Sequence, residues 1–209
     1  MGTYVNNLRL LEITTGDESG TWGTKTNTNL ELIADAFGSG TEAITTNADA
    51  HTTTIADGAA DEGRAIYLKY TGTLDSACTI TIAPNTVNKV WLIENATSGS
   101  QNIIISQGSG ANITIGNGNI AAVLTDGAGS GAAVLDALAD LELSAALTVA
   151  GAITGASTVQ GTTITATTAF VPDASDGAAL GTTSLEFSDL YLADGAVIGF
   201  GDDQEVTLT

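Results

Sequence analysis

Basic residues are scarce in this chain and vanish from its second half. Five Lys and Arg stand against 24 Asp and Glu, and the last base is Lys89. Residues 1–89 hold 11 acids and all five bases, a net of −6, while residues 90–209 hold 13 acids and no base. Phosphate backbones are gripped by Lys and Arg, so nucleic acid is excluded as a partner. Repulsion likewise disfavours an anionic membrane surface. The acidity reads as solubility in a salt- or divalent-rich medium that screens it. The single cysteine, Cys78, excludes an intrachain disulfide and a Cys zinc cluster. Between Ala77 and Thr79 it reads as a small buried apolar residue. No run approaches the roughly 18 apolar residues of a membrane span, so no membrane insertion is expected. The N-terminus has no basic stretch followed by an apolar run, so no signal peptide is expected.

Large side chains are also few. The apolar fraction is 43%, but aromatics make up only 5% and Gly numbers 25. Residues 147–209 are the extreme case: 30 of these 63 residues are Gly, Ala or Thr. Their larger apolar residues come singly, as at Leu147, Val149 and Ile153. Burial contributes roughly 25 cal/mol per Å², against about 1–2 kcal/mol per ordered residue. A β-strip this thin is expected to fold only against copies of itself.

Four regions follow along the chain. Residues 1–40 form an opening with a polar loop at 14–26 around Trp22. Thr28 and Glu31 then have capping-box form, and Leu30, Ile33 and Phe37 give one apolar face, so a helix of about two turns is expected. Residues 41–131 read as an antiparallel β-sandwich or jelly-roll-like domain. Its strands are expected at 42–46, 52–56, 64–70, 77–83, 89–95, 101–106, 112–115 and 120–125. Thr79, Thr81 and Thr114 alternate with Ile80, Ile82, Ile113 and Ile115, one wet face and one dry. Asn117-Gly118 is the strongest hairpin signal. Trp91 and Ile103 to Ile105 are expected in the core or at subunit contacts. In residues 132–146, Val134, Leu138, Leu141 and Ala145 fit a short heptad seam: a helical linker, either coiled against other chains or packed on the sandwich. Residues 147–209 begin a β-shaft. The chain stops at Thr209 inside a strand-like pattern without a cap, and is expected to continue.

Chemistry is thin. His51 is the only histidine, and no nucleophile-elbow motif lies near it. With 24 acids, a carboxylate pair can always be drawn, so the count carries no weight for glycoside hydrolysis. The Gly-rich stretches at 108–110 and 127–131 lack the Lys of a phosphate loop and read as turns. Asp202, Asp203 and Glu205 do not match the spacing of a helix–loop–helix calcium site and read as a solvated turn. Asn95 and Asn112 begin glycosylation sequons that mean little without a secretion signal. No enzyme activity, cofactor or metal is expected.

The segment from Ser19 to Ile33, with Trp22-Gly23-Thr24 and Asn27 to Leu30, resembles the N-terminal part of tail fibres and related virion proteins of tailed bacteriophages, especially marine ones. The stretch from Leu180 to Leu192 is similar to repeats of phage fibre shafts, as is the Gly/Thr pattern from Ala146 to Gly155. The resemblance implies a mainly β homotrimer with an intertwined trimeric β-shaft, assembled in the host cytoplasm and resident in the virion. Its N-terminus would dock on a tail adaptor, nozzle or other virion protein, and a distal part would meet a host receptor. Docking would fall on Trp22, Gly23, Thr24, Asn27, Asn29 and Leu30. Trp22 is either an anchor for the partner or a plug for its own sandwich. Trimer contacts are expected at Val134, Leu138, Leu141, Leu147, Val149 and Ile153. A capsid-mounted head fibre or decoration protein, and a bacterial trimeric surface adhesin, are the rival readings. A polysaccharide-degrading enzyme would need a single-chain solenoid with stacked large residues, which residues 147–209 do not supply.

Overall fold

The computed structural model describes residues 2–139, 141–143, 149, 164–165, 171, 180 and 182–196. They fall in two units, Met1–Leu147 and Thr148–Thr209.

The first unit opens with β1 (Thr3–Val5) and β2 (Leu10–Glu12), an antiparallel pair, followed by α1 (Trp22–Ala36). The chain then winds between two sheets. β3 (Ser39–Ala43), β5 (Tyr67–Thr71) and β7 (Asn88–Asn95) lie side by side in one sheet, all parallel. β4 (Ala50–Thr54), β6 (Cys78–Ala83) and β8 (Ile103–Ser106) lie side by side in the other, also parallel. Each coil therefore contributes one strand to each sheet, and three coils stack as a short β-solenoid. β9 (Ile113–Ile115), β10 (Ile120–Asp126) and β11 (Val134–Asp136) close it with antiparallel pairings. The final orders are β11-β10-β7-β5-β3 and β4-β6-β8-β9.

The fold is mainly β, and each strand expected over 42–125 is present within three residues at either end. The antiparallel sandwich is corrected: four of the seven strand pairings in the two main sheets are parallel. Alternation fixes which side chains point inward, and it is the same for either pairing direction. Asn117-Gly118 misled for the same reason. Gly118 does take the turn conformation, at φ +77°. The turn nevertheless carries the chain from β9 in one sheet to β10 in the other, and makes no hairpin.

Inward positions stack from coil to coil. Leu68 lies beside Ile93, Ile80 beside Ile105, and Cys78 beside Ile103, all fully buried. Trp91, Val123 and Val134 complete the same core. The first coil is different, with Glu42, His51 and Thr53 on its inward side. His51 Nε2 lies 2.8 Å from Glu42 Oε1, and Thr53 donates to Glu42 Oε2 at 2.7 Å. The Tyr70 hydroxyl, 2.6 Å from Thr53 Oγ1, joins this network to the second coil. Such polar pairing seals an end of the core that has no further coil to cover it. Burial pushes the Tyr70 hydroxyl far above its ordinary range, which keeps it a neutral donor.

Two glycines set the corners. Gly72 (φ +126°) and Gly99 (φ +97°) each sit against the backbone of the preceding coil. A Cβ would stand 2.5 Å from Ile44 O at the first and 1.9 Å from Leu74 O at the second. Only glycine allows coils to approach this closely in that conformation.

The expected helical linker is also corrected. Ala132 and Val134 are buried while Leu135 is exposed, so the chain here keeps the period of a strand. Val134 pairs with Thr125 of β10 and fills the chain's own core. A β-branched residue with an open place beside β10 gains more by burial there than in an isolated two-turn helix.

In the second unit, Thr182 and Leu185 form an antiparallel bridge, and Asp194-Gly195 makes a turn with Gly195 at φ +79°. Leu147, Ile153 and the acidic group Asp202, Asp203 and Glu205 lie outside the described residues.

Candidate docking surface

α1 begins six residues before the expected capping box. Glu18 (φ 58°) and Gly20 (φ 81°) turn the chain, and the Thr21 and Trp22 amides both donate to Glu18 O. The Thr21 hydroxyl holds the Glu18 carboxylate at 2.8 Å. Thr28 therefore lies inside the helix and caps nothing, a correction to the expected start. Phe37 and Gly38 close the C-terminus, donating to Ala34 O and Asp35 O.

One face of α1 is committed to the molecule. Asn29 donates to Leu11 O at 2.8 Å and accepts from the Leu11 amide at 3.0 Å, so it completes the free edge of β2. Leu32 and Ala36 are buried on the same side. A second stripe lies beside it. At about 100° per residue, Trp22, Leu30, Ile33 and Phe37 fall within roughly 80° of the helix circumference. Trp22 is 65% exposed, Leu30 59% and Phe37 77%, with Ile33 half-buried between the two faces.

The structure thus brings Trp22 and Leu30 together and separates them from the other candidates. Thr24 and Asn27 are exposed at other angles, Gly23 is half-buried, and Asn29 is occupied by Leu11. The plug reading of Trp22 fails, because its ring lies outside the core. Phe37 was missed as a surface residue. Its spacing from Trp22 and Leu30 shows the stripe once the helix is started at Trp22.

The helix carries two acids and one base: on the same scale, counted from Trp22, Glu31 and Asp35 fall at about 180° and about 220°, away from the stripe, and Lys25 at about 300°. Among the described residues, no group of three or more His, Cys, Asp or Glu could hold a metal ion. No helix among them is long and apolar enough to cross a membrane.

The expected trimer contacts divide. Val134 is buried in its own chain, whereas Leu138 (54% exposed), Leu141 (60%) and Val149 (44%) are open. No protein-family model, no curated protein and no solved structure matches the chain.

Proposed function

We propose that the chain is a structural fibre protein, a homotrimer that mounts on a phage virion through α1 and begins a multi-chain shaft after residue 147. One observation carries the shaft part of the reading. Among the described residues from 149 to 196, every large apolar side chain is exposed, including Leu180, Leu185, Phe187, Leu190, Tyr191 and Leu192. Water-exposed apolar surface on this scale is stable only when something covers it. In a strip rich in Gly and Thr, copies of the same strip supply matching spacing.

The mount is the stripe of Trp22, Leu30 and Phe37. A rigid helical face with an aromatic at one end is suited to anchor in a partner's pocket. Several such fibres on one particle would make weak distal attachments additive. The excess negative charge keeps neighbouring fibres apart.

Light scattering on the 209-residue chain tests the shaft. A mass of three chains is expected, and a stable monomer with an unchanged circular dichroism spectrum rejects the reading. Electron microscopy of virions carrying a label at the N-terminus tests the mount, and separates a tail position from a capsid position.

A further inference from the structure

The two outer sheet faces of the first unit differ. The four-stranded sheet turns Thr52, Thr54, Thr79, Thr81 and Thr114 outward, none of them buried, as expected of a face in contact with water. The five-stranded sheet turns out a different set. Leu135, Leu124 and Val90 lie side by side across β11, β10 and β7. In the next row Ala122, Leu92 and Tyr67 lie side by side across β10, β7 and β5. Val90, Leu92 and Leu135 are each more than two-fifths exposed, and Ile120 at the end of β10 is 56% exposed. No charged residue stands in either row. The nearest charges flank the rows: on one side Glu94 and Lys69 pair with each other at 3.3 Å and Tyr67 donates to Glu94, and on the other Asp126, beside Asn88, accepts from the Ala128 and Ala133 amides at 3.0 Å.

Strands buried on one face alternate apolar with polar, and strands buried on both faces read as continuous apolar runs. Val90 to Ile93 and Ile120 to Leu124 are runs of the second kind. The five-stranded sheet is thus composed for cover on both sides, and one side is bare.

We infer that this outer face, centred on Val90, Leu92, Ala122 and Leu124, packs against the same face of further copies of the chain. The inference rests on the multi-chain reading above and gives it a second, proximal interface. Charge selects the occupant. A chain with net charge −19 repels its own copies except where acids are missing or neutralised, and the two central rows of this face hold no acid. A basic partner would be drawn instead to the acidic surfaces elsewhere. The sequence points the same way, because exposed Leu138, Leu141 and Leu143 follow β11 along the chain, before the strip that needs copies.

Hydroxyl-radical footprinting of the full chain, read by mass spectrometry beside a light-scattering mass, tests this without a substitution. Leu30 and Phe37 on α1 are the internal reference. The expected result is a multi-chain mass with Leu92 and Ile120 oxidised several-fold more slowly than Leu30. A multi-chain mass with Leu92 and Ile120 oxidised as fast as Leu30 overturns this interface and leaves the shaft reading standing. A single-chain mass overturns both, whatever the footprint. A Leu92→Glu chain gives a second check: its mass should be unchanged if the shaft holds the copies, while Ile120 should become as reactive as Leu30.

Discussion

The indole nitrogen of Trp91 donates to the carbonyl oxygen of Gly63 at 2.9 Å, which ties the centre of β7 to the turn that leads into β5. The same turn is held from within by Arg64, fully buried, which donates to Ala56 O, Ala59 O and Asp61 Oδ2. Trp91→Phe keeps most of the ring but leaves Gly63 O unpaired in a buried place. A loss of about 2–4 kcal/mol is expected from the missing bond and the void together. Urea unfolding followed by circular dichroism measures it. A change within the noise would show that the turn does not depend on this bond.

Lys89 provides a pH signature. Its ammonium lies 4.5 Å from the Trp91 ring centroid and donates to Ala65 O at 2.9 Å. Burial lowers its pKa from 10.5 to about 8, with Asp61 opposing the shift and Arg64 adding to it. Between those values the unfolded chain binds the proton that the folded chain has released. Stability therefore rises with pH across that window, by at most about 1.4 kcal/mol per pH unit. Above about pH 10 the gain reverses, because the unfolded tyrosines ionise while buried Tyr70 resists. Denaturation midpoints from pH 7 to 10 check the sign. Lys89→Met, which keeps a stem over Trp91, should flatten the rise.

The positions of the strands were legible because alternation is local. Thr79 to Ile82 state which side is wet without reference to any neighbour. Pairing direction was not legible, because it depends on which coil lies alongside, and that is set by contacts some 25 residues away such as Leu68 with Ile93. The start of α1 was missed because Thr28 and Glu31 imitate a cap, while the real turn is made by Glu18 and Gly20. Val134 misled more deeply. Its heptad spacing to Leu138 is genuine in the sequence, but an open place beside β10 used Val134 with the period of a strand. At the candidate docking surface, the resemblance named Trp22 and Leu30 together with Asn29, with no sign of which of them are exposed. Their separation from Asn29 required the β2 edge, which no local pattern reveals.

Corner geometry makes Gly99 a sharp test of the coil stacking. A methyl group there would stand 1.9 Å from Leu74 O, and the backbone φ of +97° already disfavours it. Gly99→Ala should destabilise the first unit by at least about 2 kcal/mol. Gly118→Ala is the control. Its φ is also positive, at +77°, but a Cβ there meets nothing within 4 Å. The difference between the two melting midpoints isolates the steric cost of coil contact from the conformational cost.

Asn29 and Leu11 allow the intramolecular role of α1 to be separated from any docking role. Asn29→Ala removes both bonds to the β2 backbone. The expected cost is about 1–3 kcal/mol, local to α1 and the β1–β2 pair. Hydrogen exchange should show faster exchange at Leu11 and along α1, with β5 to β8 unchanged. Uniform loss of protection across the sheets would mean that α1 and the coils unfold as one unit.

Trp22→Ala separates docking from folding most directly. Because the ring is 65% exposed and outside the core, its removal should change stability by no more than about 0.5 kcal/mol. The chain should reach its normal mass and its normal circular dichroism spectrum. Incorporation into particles is expected to fall at least tenfold, the effect of losing about 1.4 kcal/mol or more at an aromatic anchor. Phe37→Ala should act in the same direction, since it shares the stripe, and Thr24→Ala should not, since it lies at another angle. Quantitative immunoblotting of purified virions against a major structural protein reads all three. Equal incorporation of the Trp22, Phe37 and Thr24 variants would remove the stripe from the mount. Misfolding of the Trp22 variant would instead return the ring to a structural role that its exposure does not support.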